Sequence, residues 1–141
     1  MIEMIAVMSI ISALAAIVIP KLQENIDRAR AGKAIGDIRA IQVDIEGWSA
    51  TRDNLPPPSL AAVGRPGAED PWGNPYVYVP FDPSAGPSGR TDRFGVSLNS
   101  TYDLYSVGKD GASASSLGAG SSQDDIVRAA DGGFIGLGKS Y

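Results

Sequence analysis

From Met4 to Ile19 the chain reads MIAVMSIISALAAIVI, an apolar run interrupted only by Ser9 and Ser12, with no charge between Glu3 and Lys21. As a helix rising 1.5 Å per residue the run covers roughly 24 Å, close to the hydrocarbon thickness of a bilayer once flanking residues contribute. The pattern predicts a membrane anchor, with a buried core helix as the plainer alternative. A secretory signal peptide fits poorly, because positive charge should precede its apolar stretch and small residues follow it; here Glu3 precedes and Pro20-Lys21 follow. Glu3 is the informative position. An ionised carboxylate at hydrocarbon level is costly and normally has a partner, so a positive charge is expected beside it; otherwise it is solvated at the membrane surface.

Beyond the apolar run Leu22, Ile26, Ala34, Ile38, Ile41, Ile45 and Trp48 recur at three- and four-residue steps, the stripe of an amphipathic helix. Acidic and basic residues mix on the other positions, as on a solvated face. Pro20 is expected to kink the helix, since it has no amide hydrogen and crowds the carbonyl one turn back. One bent helix from Ile2 to about Arg52, roughly 75 Å long, follows. It should stop near Asn54, because Pro56-Pro57-Pro58 cannot continue it.

After that point short β-type runs stand among Pro, Gly and Ser. Tyr76–Val79 is the clearest strand, Tyr102–Val107 the second and Phe134–Leu137 a weaker third. Gly86 to Gly89 and the Ala/Ser/Gly stretch from Ala112 to Ser122 read as loops. The expected fold is α+β: a long N-terminal helix, apolar then amphipathic, laid on a small antiparallel sheet with a long C-terminal loop. Residues 1–20 form the hydrophobic segment and 21–141 the globular head.

Composition narrows the chemistry. The 141 residues include no Cys and no His, which excludes a disulfide, a thiolate nucleophile, a Ser-His-Asp triad and the usual zinc or haem ligands. Only hard oxygen ligands remain for a metal. A net charge of −4 offers no basic patch for phosphates, so no nucleic-acid partner is expected.

The start MIEMIAVMSIISALAAIVIP resembles the N-terminal helix of the type IV pilin and pseudopilin superfamily, in which a glutamate stands at the fifth mature position and a proline near the end of the anchor. Glu3 and Pro20 match both landmarks in one register. The head resembles the major pseudopilin branch of type II secretion in its segments Asp70-Pro71-Trp72-Gly73-Asn74-Pro75-Tyr76, Tyr102 to Gly111, and Asp124-Asp125-Ile126. The match spans nearly the whole chain. On this register two residues, an aromatic one followed by Ser or Thr, are expected before Met1 in the natural mature chain, after a short basic leader removed by a prepilin peptidase. Ser12 departs from the glycine common at its position in the family, which leaves open whether Ser12 to Pro20 unwinds on assembly.

The resemblance implies a structural filament subunit with a methylated N-terminus and no enzymatic activity. It is anchored in the inner membrane, then packed into a helical homopolymer with the help of an assembly platform and minor pseudopilins. Glu3 is implied to pair with the amino terminus of a neighbouring subunit. Calcium is implied as the cofactor, held by Asp110, Asp124 and Asp125 with carbonyls from Val107 and Ser122; the shell needs about six to eight oxygens, and the Ala/Ser/Gly insert is longer than the family's usual spacing. By their spacing alone the same residues read as an Asp-Gly turn and a paired-Asp cap. A periplasmic pseudopilus is the leading reading, with an extracellular adhesion filament as the alternative. A membrane-tethered hydrolase using Asp124 and Asp125 is the reading from a different class, weakened by their adjacency. Trp72 is expected to pin its loop to the core rather than hold a sugar, and Asn99-Ser100-Thr101 matches a glycosylation sequon.

Overall fold

A single helix, α1 (Ile2–Ser49), takes up 48 residues in the computed structural model, which describes residues 1–86 and 88–141. Pro87, in the expected loop from Gly86 to Gly89, lies outside the described residues. α1 continues through Pro20, where the absent amide leaves the Ala16 carbonyl without its usual donor. The two hydroxyls of the apolar run bond back to their own helix: Ser9 Oγ to the Ile5 carbonyl at 2.6 Å and Ser12 Oγ to the Met8 carbonyl at 2.8 Å. No polar side chain between Glu3 and Lys21 is thereby left for lipid to solvate.

The chain forms two compact units, Met1–Arg30 and Ala31–Tyr141. In the first, Ile5, Met8, Ile11, Leu14 and Ile17 are all more than half exposed. Leu22 and Ile26, expected on the buried stripe, are exposed as well. They lie in this same unit, N-terminal to the turns of α1 that meet the sheet.

In the second unit the stripe is buried from Ala34 onward, with Ile38, Ile41 and Ile45 inaccessible to solvent. α1 ends at Ser49, three residues before the expected Arg52. Asp53 and Asn54 take left-handed φ of 52° and 58°, and the Asn54 amide donates to the Ser49 carbonyl at 3.1 Å, closing the helix ahead of the prolines. Four strands follow as an antiparallel meander in the order β1 (Val77–Pro80), β2 (Tyr102–Ser106), β3 (Ile126–Ala129) and β4 (Phe134–Leu137). β3 had no counterpart in the sequence pattern. All four of its residues are buried, because both faces are covered, so the alternation that marks a half-exposed strand is lost.

One face of the sheet packs Tyr76, Tyr102, Leu104 and Ile126 on Ala34, Ile38, Ile41 and Ile45 of α1. The other carries Leu98, Leu117, Val127 and Ala129. Leu98 and Leu117 come from loops, so the loops act as a third layer. The Ala/Ser/Gly stretch is tied to residue 91 by two backbone bonds, from the Thr91 amide to the Ser115 carbonyl at 2.8 Å and from the Leu117 amide to the Thr91 carbonyl at 2.9 Å.

Burial pushes the hydroxyls of Tyr76, Tyr78 and Tyr102 above the ordinary phenol range, and for Tyr102 up to about 12 despite the nearby positive charge of Arg128. A free tyrosine in the unfolded chain ionises near 10. The folded state therefore keeps the proton longer, and the stability this supplies is lost as pH rises from about 10 through about 12. In an alkaline titration the phenolate absorbance of these three residues should appear only as the near-ultraviolet dichroism of the fold disappears. Their ionisation near 10 with the fold intact would contradict the burial.

Candidate functional site

The two motifs of the head meet. The Asp70 carboxylate is buried and organises its own turn, accepting from the Trp72 amide at 3.0 Å and the Asn74 amide at 2.9 Å through Oδ1. Its Oδ2 accepts from Ser106 Oγ at the end of β2. Asn74 Nδ2 donates to the Gly108 carbonyl at 3.0 Å. The DPWGNPY turn and the turn after β2 are therefore one hydrogen-bonded block. Trp72 packs against the main core, as expected of a loop pin, although its Nε1 has no hydrogen-bond partner among the described residues.

The acidic loop is arranged differently from a three-carboxylate shell. Asp124 Oδ2 accepts from the backbone amides of Lys109 and Asp110, at 2.8 and 3.0 Å. Asp110 Oδ1 accepts from the Ala112 amide at 2.8 Å. These two aspartates serve one turn. Asp125 is fully buried and faces elsewhere: its Oδ2 accepts from Arg90 Nη2 and from Ser113 Oγ, each at 2.6 Å. Burial pushes the Asp125 carboxyl above its ordinary range, and the hydrogen bonds from Ser113 and Arg90 oppose this. Among the described residues, Asp125 Oδ1 and Arg90 Nε are buried without a hydrogen-bond partner.

Val107 follows β2, and Ser122 lies buried in a short 3-10 turn, Gly120–Ser122. The Ser122 hydroxyl, a different atom from the carbonyl that the resemblance names, accepts from the Ala114 amide at 3.0 Å and donates to the Ala114 carbonyl at 3.1 Å. Among the described residues no group of three or more His, Cys, Asp or Glu gathers to hold a metal ion. In this arrangement the donors do not fit a calcium shell, since Asp125 is turned onto a guanidinium whose charge repels a cation.

Arg128, in β3, is the second buried cation. Its Nη1 donates to Asn99 Oδ1 at 3.0 Å and to the Tyr102 carbonyl at 3.3 Å, and its guanidinium lies 4.0 Å from the centre of the Tyr102 ring. Asn99 Nδ2 donates in turn to Asp103 Oδ1 and the Arg128 carbonyl, both at 2.9 Å. That nitrogen is the one a glycan would need. Asn99 is buried and the sequon is structural here. Glu3 sits exposed in the first turn of α1.

Three relatives are similar to this chain across most of its length, each bearing the description Type II secretion system core protein G. The protein from Pseudomonas aeruginosa is 30% identical over 131 residues, covering 79% of this chain and 82% of the relative. Those from Escherichia coli strain K12 and Aeromonas hydrophila are 29% and 28% identical, covering 79% and 70% of this chain and 80% of each relative. The chain belongs to the core protein G family, the major pseudopilins. No family model matches it, and no solved structure matches it.

Within this core protein G fold, sequence reasoning missed Arg90 and Arg128 altogether, and it placed Asp70 and Asp103 in motif segments without foreseeing that their carboxylates are buried. Each is a charge buried in a loop or strand where the local pattern reads as surface. The signal available was indirect. A small head with no disulfide and several Asp in β-type segments needs internal cations to neutralise them, and Arg90 and Arg128 are among its few basic residues.

Proposed function

We propose that this chain is the main structural subunit of a periplasmic type II secretion pseudopilus. Residues 1–20 hold the newly made subunit in the inner membrane and then line the core of a helical polymer, while residues 21–141 form the head on its outside. The observation that carries this reading is the likeness to core protein G over about four-fifths of each relative, together with an apolar helix segment long enough to cross a membrane and none of it buried within the chain. Side chains such as Ile5, Met8 and Leu14 gain burial only from lipid or from other subunits. Such a protein works by assembly rather than catalysis. Its partners are copies of itself, the assembly platform, minor pseudopilins and the prepilin peptidase. The named relatives all belong to type II secretion, which favours the periplasmic polymer over an extracellular adhesion filament.

Electron microscopy of intact and sheared cells tests the proposal. Filaments containing this subunit should reach the cell surface only on overproduction, and deletion of the subunit should block release of secreted proteins. Abundant surface filaments at native expression, with secretion undisturbed by the deletion, would overturn it.

A further inference from the structure

Arg90 sits in a loop rich in Gly and Ser, yet only 5% of it is exposed. Its backbone amide donates to Asp103 Oδ2 on β2, and its carbonyl accepts from the Leu98 amide at 2.9 Å. The guanidinium lies 4.1 Å from the centre of the Tyr105 ring, also on β2. From there Nη2 reaches Asp125 Oδ2 at the start of β3, while Nη1 reaches Ser113 Oγ in the Ala/Ser/Gly stretch, both at 2.6 Å. Ser113 Oγ closes the triangle on Asp125 Oδ2. One side chain thus joins the loop before β2, the stretch between Asp110 and Asp124, and the carboxylate that leads into β3.

We propose that the Arg90 guanidinium is a built-in cation for this loop, doing by an internal ion pair what a bound metal ion would do and leaving the head braced without one. Three observations carry it. The Asp125 carboxylate is spent on Arg90 and Ser113, so it does not converge with Asp110 and Asp124. Asp124 Oδ2 accepts from two backbone amides and so organises its own turn. The Arg90 backbone is fixed on both sides, its amide by the Asp103 carboxylate and its carbonyl by the Leu98 amide, so the guanidinium is pre-positioned and little side-chain freedom is lost in holding the pair. A divalent cation entering at the remaining buried oxygen, Asp125 Oδ1, would sit beside a like charge in a desolvated site.

The test uses the full chain dispersed in detergent, so that it reads the subunit and is independent of polymerisation. Thermal unfolding is followed by near-ultraviolet dichroism in excess calcium and in excess chelator, and calcium binding is titrated calorimetrically. The unaltered chain should melt at the same temperature in both conditions and give no binding heat. Arg90→Met should lower the melting temperature by roughly 10–20 °C, because it strands a buried carboxylate. Arg90→Met combined with Asp125→Leu should recover much of that loss, since both charges are then gone. A rise of several degrees with calcium in the unaltered chain would overturn the proposal in favour of a metal at Asp125. So would an Arg90→Met variant that melts with the unaltered protein. If Arg90→Met alone fails to fold, the calcium comparison on the unaltered chain still decides.

Discussion

Glu3→Ala should remove sheared or overproduction-induced filaments while leaving unfolding of the 31–141 unit unchanged. In the proposed membrane-embedded or polymerised state the surroundings of Glu3 would be lipid tails or the apolar side chains of neighbouring helices, with little water to solvate a charge. On the pairing that the family resemblance implies, an ammonium from an adjacent subunit would neutralise the carboxylate there. Removing the carboxylate leaves the ammonium unpaired at low dielectric, at a cost of about 3–5 kcal/mol for each contact. That is roughly a hundred- to several thousand-fold in the association constant of one subunit with the next, and a polymer repeats the penalty at every step. Immunoblotting of sheared fractions, with dichroism of the purified variant as the control for folding, measures both halves of the expectation. Filaments in normal amount from Glu3→Ala would exclude the pairing.

Gly108→Ala should cost about 2–5 kcal/mol, far more than the same change at Gly111. Both glycines have a left-handed φ of 69°, so alanine is strained at each by about 1–2 kcal/mol. The difference lies in the space around them. A Cβ on Gly108 would come within 2.5 Å of the Asp124 carbonyl oxygen and 2.7 Å of its Oδ2, whereas at Gly111 the nearest atom is Asn74 Oδ1 at 3.6 Å. The first clash involves backbone, which cannot move aside without breaking the bonds that Asp124 Oδ2 accepts from the Lys109 and Asp110 amides. Denaturant unfolding of the two variants in parallel checks this, and equal losses at both positions would refute the close approach.

The segments that repeat a simple period were legible in the sequence. The apolar run, the helix as far as Ser49 and the strands at Tyr78, Leu104 and Ile135 each follow from a pattern that one element sets by itself. Errors fall where a second layer intervenes. Leu22 and Ile26 have the right period for a stripe and yet stay exposed, because periodicity gives a face and says nothing of where along the helix a partner begins. β3 was invisible because it is covered on both sides and holds a buried arginine. The aspartates of the acidic loop were found as candidates, but their directions were not. Asp124 and Asp125 are adjacent, yet just before β3 their side chains go to different neighbours, Asp124 to the Lys109 and Asp110 amides and Asp125 to Arg90 and Ser113.

The sequence by itself determined the apolar helix segment, the charged outer face of its continuation, the absence of thiol and imidazole chemistry, the loop that carries Trp72 and the Asp-Gly turn at Asp110. These depend on residue type and on spacing within a few positions. The tertiary structure decided which charges are buried and with whom: Arg90 with Asp125 across 35 positions, Arg128 with Asn99 across 29, and Asp70 with Ser106 across 36. The physical reason is that a buried charge and its partner are specified by two surfaces brought together. Each partner carries the local signature of a solvated residue until the sheet and its covering loops close over it.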